Sequence, residues 1–149
     1  MTKLTHYLKS ELVYFLDCQT RDEAIKQISE RLASQGKIQD QKEYYHAILD
    51  REKIVSTGIG MGVAIPHAKL TTVEDFFIAV GVLHQGVQWN ALDGGPVRLI
   101  FMIGGPDDKQ TAYLQILSSL TMAIKDEERR KKILTLNSPE AIIQLFQEV

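Results

Sequence analysis

Cysteine is almost missing from this sequence of 149 residues: Cys18 stands alone. That excludes an intramolecular disulfide and any cysteine-based zinc cluster, and it favours a reducing compartment. No apolar run approaches the roughly 20 residues of a membrane span. The opening MTKLTHYLKSELVYF has neither the long apolar core nor the small-residue cleavage site of a signal peptide. The expectation is a cytoplasmic protein with no direct membrane insertion. Excess charge of one sign is also lacking, with a net charge of -2 and a pI of about 6.1, so the basic face of a nucleic-acid binder is not expected. The one basic run, Arg129 to Lys132, follows Asp126-Glu127-Glu128 and reads as a solvated, self-compensating helix face. The four histidines form no H-x-x-x-H spacing, and G-x-G-x-x-G, Walker and G-x-S-x-G elements are missing. Neither a metal nor a cofactor is expected.

What remains is an ordinary globular composition, 44% hydrophobic and 24% charged. The length suits one domain over residues 1–149 that buries about two-thirds of its unfolded surface. Thr20-Arg21-Asp22-Glu23 reads as a capping box in which Thr20 and Glu23 both serve free amides. Ala24, Ile25, Ile28 and Leu32 follow at helical spacing, with Gly36 as a stop. Asp40 caps a second predicted helix through Tyr44, Tyr45, Ile48 and Leu49, ending near Arg51-Glu52. Beyond a glycine-punctuated loop, Val63-Ala64-Ile65 reads as a short strand that His67 ends. Phe76 to Leu83 and Val97 to Ile103 read as central strands covered on both faces, with His84 at the exit of the first. An acidic start at Asp107-Asp108 introduces a helix presenting Tyr113, Ile116, Leu117, Leu120 and Ile124. A short helix near Glu127 to Leu134 follows, and Ser138-Pro139 opens a last one. The order is helix, helix, strands, helices: an α/β fold with a mixed β-sheet flanked by helices.

Among the histidines, His67 has distinctive neighbours. It follows Ser56-Thr57-Gly58-Ile59-Gly60-Met61-Gly62, whose glycines let backbone amides approach an anion and whose hydroxyls add donors. An imidazole is substantially neutral near pH 7 and can act as a nucleophile. Phosphoryl transfer asks the protein mainly for positioning and charge stabilisation. Arg51 offers a planar fork for phosphoryl oxygens, and Lys69 shares a side with His67 if the chain there is extended. Composition alone also fits a plain turn with Pro66-His67 as a strand exit. His6, His46 and His84 read as ordinary structural or surface histidines, and Cys18 as a structural cysteine.

The whole string from Arg51 to Lys69, REKIVSTGIGMGVAIPHAK, closely resembles the signature of fructose/mannitol-type enzyme IIA domains of the bacterial phosphoenolpyruvate-dependent sugar phosphotransferase system. The likeness continues through GVQWNALDGGPVRLIFMI, Gly86 to Ile103, and covers nearly the whole chain. The resemblance implies a phosphotransferase component, a carrier rather than a stand-alone catalyst. His67 would take a phosphoryl group from HPr and pass it to a cysteine of an enzyme IIB domain, with Arg51 beside it. Ser56, Thr57, Gly58 and Lys69 are the expected phosphoryl-binding residues; Ile59, Met61 and Ile65 are expected to form an apolar rim for the partners. One position departs from the family pattern, because Tyr113 stands where relatives commonly place a second histidine. Tyr113 either donates its hydroxyl to the phosphoryl group or simply packs on its helix. Relatives that regulate a partner through their phosphorylation state supply a second functional reading.

Overall fold

The computed structural model describes residues 3–147. A 3-10 turn at Leu4–His6 leads into strand β1, Leu8–Leu16, which the sequence reading missed. Its inward residues Leu8, Leu12, Val13, Tyr14 and Leu16 are interrupted by Lys9, Ser10 and Glu11. A register shift between Leu8 and Val13 accompanies the interruption, so strict alternation never develops in the sequence. The helices α1, Arg21–Ser34, and α2, Gln41–Ile54, follow. Then come β2, Gly58–Gly60, β3, Val63–Ala64, β4, His67–Lys69, β5, Phe77–Val87, and β6, Val97–Gly105. Helices α3, Gln110–Ile124, α4, Glu127–Thr135, and α5, Pro139–Gln144, complete the described chain. His67 therefore opens a strand instead of ending one, and His84 lies within β5 because that strand runs on to Val87.

The sheet order is β1-β5-β6-β3-β2, with β4 also pairing β6. β5 and β6 are antiparallel, whereas β1 joins β5 and both β3 and β4 join β6 in parallel. The mixed sheet and flanking helices match the expectation. Because successive strand residues point to opposite faces, β5 serves two cores. Phe77, Ala79 and Leu83 pack with Ala24, Ile25, Ile28, Tyr44 and Ile48 of α1 and α2. Ile78, Val80 and Val82 pack with Ile116, Leu120, Ile133 and Ile142 of α3, α4 and α5. The apolar runs of the sequence have this two-sided burial as their cause.

Caps set the helix starts. Thr20, Asp40, Asp126 and Ser138 each accept a backbone N–H three residues on, each contact stabilising by about 1 kcal/mol. Glu23 does not complete the capping box; its carboxylate receives the Thr20 hydroxyl at 3.4 Å. Asp107 and Asp108 lie ahead of the α3 N-cap, Lys109, and no acidic residue occupies that helix's first turn. The basic run meets expectation in part: Arg129 pairs with Asp126 at 3.4 Å, as self-compensation requires, but its side chain is mostly covered. Lys131 pairs with Glu127 at 3.0 Å, but Arg129 donates to the Ala123 and Leu145 carbonyls and Arg130 to that of Ile124. These guanidinium groups bond carbonyls at the C-terminal ends of α3 and α5, where intrahelical partners run out.

Gly104 and Gly105 at the end of β6 lie under aromatic rings. A Cβ on Gly104 would sit 2.2 Å from Cζ of the buried Phe77. Gly104→Ala is expected to lower stability by about 1–3 kcal/mol through overpacking. Urea unfolding followed by Trp89 fluorescence checks this, with a reduced midpoint at unchanged slope as the result.

Candidate functional site

The helix α2, the strand β4 and the helix α3 converge on His67. The residues before it explain its setting. Val63 and Ala64 pair with Leu99 and Ile100, and His67 with Ile103, but Pro66 between them has no N–H for the ladder. Its carbonyl still accepts from Ile103 N at 3.0 Å. Ile65 turns its amide to the Thr57 carbonyl, 3.0 Å away, and its own carbonyl lies 3.0 Å from His67 Nδ1.

A carbonyl only accepts, so Nδ1 carries the ring proton and Nε2 keeps its lone pair. Arg51, in the last turn of α2, donates Nε–H to that Nε2 at 3.2 Å and Nη1–H to the Val55 carbonyl at 2.8 Å. Burial is the main influence lowering the His67 pKa, with the Ile65 carbonyl opposing it and the Arg51 and Lys69 charges reinforcing it. The ring is therefore neutral at pH 7, as a nucleophile must be.

Tyr113, in the first turn of α3, is only 5% exposed, and its ring centroid is 5.6 Å from that of His67. Burial raises its pKa, so the hydroxyl stays protonated. Lys69 shares this side: its Nζ lies 4.5 Å from the Tyr113 ring centroid and donates to Gln110 Oε1. Ala68 between them is buried, as strand alternation requires.

Three expected phosphoryl donors are engaged elsewhere. Ser56 Oγ donates to the Trp89 carbonyl at 2.7 Å and accepts Gly58 N–H at 3.1 Å. Thr57 gives its amide, at 3.0 Å, and its hydroxyl to Glu52. These contacts tie the loop to the body of the protein, which leaves Arg51 and Lys69 as the cationic groups near the ring. The loop glycines serve geometry as well: Gly60 and Gly62 have φ of 93° and 75°, a region that favours glycine.

A hollow of about 420 Å³ adjoins the ring, lined by Arg51, Ile59, Met61, Leu117, Thr121 and Lys125 among others. Met61 is 43% exposed and Ile59 is partly buried, but Ile65 is only 4% exposed and belongs to the core. The apolar lining of the hollow consists of Met61, Ile59 and Leu117 together with the mostly buried Ile65. Glu52 and Trp89 escaped the sequence reading. The signal was the lone tryptophan, whose indole N–H needs an acceptor when buried; its acceptor lies far away in sequence. Among the described residues no group of three or more His, Cys, Asp or Glu could hold a metal ion, and no helix is long and apolar enough to cross a membrane.

Comparison with known proteins places this arrangement among relatives. The sequence profile described as "Phosphoenolpyruvate-dependent sugar phosphotransferase system, EIIA 2" matches residues 6–149. The chain is 36% identical over 147 residues to the "PTS system fructose-specific EIIABC component" of Bacillus subtilis, covering 98% of this chain and 23% of that protein's length. It is 37% identical over 134 residues to the "Nitrogen regulatory protein" of Escherichia coli, covering 88% of this chain and 80% of that one. The structure of enzyme IIAMTL in complex with phosphorylated enzyme IIBMTL from Escherichia coli superposes with a TM-score of 0.81 and 25% identity, covering 95% of this chain and 98% of that one.

Proposed function

From the premise that this chain belongs to the phosphoenolpyruvate-dependent sugar phosphotransferase EIIA 2 family, and is thus a phosphotransferase component, we propose that His67 carries the phosphoryl group on Nε2. The observation that carries this reading is the fixed tautomer: Nδ1–H held on the Ile65 carbonyl, with the Nε2 lone pair under the Arg51 guanidinium. In the transfer, the bond between phosphorus and the donor breaks as the Nε2–P bond forms, and the Nδ1 proton stays in place. Arg51 shifts from Nε2 to the phosphoryl oxygens, where a planar, permanently charged fork is effective. Lys69 adds charge, and Tyr113 supplies a neutral O–H donor where relatives commonly have a histidine.

The donor is HPr and the acceptor a cysteine of an enzyme IIB domain, in the uptake of a sugar or sugar alcohol. The likeness to the fructose-specific component and to a IIA solved with phosphorylated IIB supports this direction of transfer. A regulatory role, in which phosphorylation of this chain controls a partner protein, has a comparable observation behind it in the 37% identity with the nitrogen regulatory protein. An added phosphoryl group can make or break a protein contact by charge alone.

Incubation with phosphoenolpyruvate, enzyme I and HPr is expected to give an acid-labile, base-stable phosphoryl group on the protein. An unlabelled wild type, where a known enzyme IIA is labelled, overturns the proposal. Transfer onward to a IIB cysteine separates uptake from regulation. A phosphoprotein that holds its label against IIB domains favours the regulatory reading.

A further inference from the structure

The last turn of α2 carries a buried carboxylate beside Arg51 that the transfer chemistry leaves unused. Glu52 is 4% exposed. Its Oε1 accepts Thr57 N–H at 3.0 Å and Trp89 Nε1–H at 3.2 Å, and its Oε2 accepts the Thr57 hydroxyl. Three donors converging on a buried carboxylate make a strong, charge-assisted anchor. That anchor continues toward the site. The Thr57 carbonyl accepts Ile65 N–H at 3.0 Å, and the Ile65 carbonyl accepts the Nδ1 proton of His67 at 3.0 Å.

We propose that Glu52 is a positioning residue for His67, fixing the reactive tautomer through a hydrogen-bonded chain over Thr57 and Ile65. The role rests on the reading of His67 Nε2 as the phosphoryl acceptor. Pro66 makes the chain necessary. Because it lacks an N–H, Pro66 offers β6 no donor between β3 and β4, so the Ile65 peptide is held from the other edge, where the Thr57 carbonyl extends the β2–β3 pairing to the Ile65 amide. If this peptide turned away, Nδ1 would lose its acceptor, and a proton on Nε2 would block attack on phosphorus. Partners behind a functional imidazole set its tautomer and ring orientation in the same way in metal sites.

Charge provides a second line of support. The charged and titratable groups acting on the ring are Arg51 and Glu52 from α2, Lys69 from its own strand and Tyr113 from α3. Arg51 and Lys69 lower the His67 pKa, and Glu52 raises it. Glu52 thus offsets part of the cationic field that binds the phosphoryl group, which preserves basicity at Nε2.

Glu52→Gln keeps the shape and removes the charge. Its amide oxygen can accept from Thr57 N and Trp89 Nε1, while its NH₂ faces the Thr57 hydroxyl, which can accept. Nitrogen-15 NMR of the imidazole is the readout, with Trp89→Phe as a comparison that removes one donor but leaves the carboxylate and Thr57. In Glu52→Gln, His67 is expected to titrate at lower pH than in wild type, an Nε2–H tautomer to appear, and phosphoryl uptake to slow by about tenfold. Trp89→Phe is expected to lower the melting temperature and leave the tautomer as in wild type.

A folded Glu52→Gln protein with wild-type titration and tautomer overturns the proposal. So does a tautomer shift of equal size in Trp89→Phe, which would assign the effect to general loosening. If Glu52→Gln does not fold, the wild-type ring decides: protonation mainly on Nε2 overturns the proposal, and protonation on Nδ1 with slow exchange of the Thr57 and Ile65 amides upholds it. The ring measurements need no phosphoryl donor. Failure of wild type to accept a phosphoryl group therefore counts against the acceptor reading separately.

Discussion

His67→Ala is expected to abolish phosphoryl uptake, leaving no acid-labile label after prolonged incubation with phosphoenolpyruvate, enzyme I and HPr. The loss is complete because no neighbouring group can substitute. The Ser56 and Thr57 hydroxyls are bound to Trp89 and Glu52. Burial keeps the Tyr113 phenol protonated, and Cys18 is buried with its thiol pKa raised by that burial. Label of wild-type stability on the variant would assign the acceptor to another residue. The fold should survive, since the substitution removes one hydrogen bond to Ile65 and one from Arg51, a net cost of about 1 kcal/mol each. The variant should also respond differently to pH. The His67 pKa is lower in the fold than its ordinary value of 6.5, so the unfolded wild type binds more protons as pH falls through that value. Wild type loses stability there and levels off below the folded pKa, whereas the alanine variant lacks this slope. The stability gap between them therefore narrows in acid, which denaturant titration at two pH values can read.

Arg51→Met is expected to slow phosphoryl uptake by about 10²-fold, the scale of removing a preorganised group that stabilises transition-state charge. Two effects act together. The guanidinium that faces Nε2 at 3.2 Å is no longer present to meet the phosphoryl oxygens. Its charge also lowers the His67 pKa, so the methionine variant titrates at higher pH and loses more neutral imidazole as the solution is acidified. The deficit should consequently widen below neutral pH. Arg51→Lys restores charge without the fork and should recover only part of the rate. Rapid-quench measurement of label transferred from phosphorylated HPr checks all three proteins, and a methionine variant at wild-type rate removes Arg51 from the transfer step.

Local rules made most of the architecture legible. The caps at Thr20, Asp40 and Ser138, and the apolar runs within β5 and β6, lie where short-range chemistry puts them. β1 was illegible because its inward residues break alternation around Glu11 and its pairing partner, β5, is remote in sequence. The same distinction holds at the site. His67 and Arg51 stood out through a contiguous motif. Glu52 did not, because its significance depends on Trp89 and Thr57 arriving from other segments. Loop composition overstated the hydroxyls, since it records which donors exist and not which are already bonded. Ile65 shows the same limit: nearness in sequence to His67 does not reveal that its side chain is only 4% exposed and packs with the core while also lining the hollow.

The sheet's connectivity also bears on how the molecule assembles. β5 and β6 are consecutive and antiparallel, so their pairing closes a short loop. β1 pairs β5 across the intervening α1 and α2, and β3 and β4 reach β6 across β5. Loop-closure entropy makes the parallel pairings the slow, late steps. Arg51, His67 and Tyr113 belong to segments that meet only when β4 has docked on β6. During refolding, the hairpin of β5 and β6 can form early, while the environment that lowers the His67 pKa and fixes its ring between Ile65 and Arg51 comes into being only with the final topology.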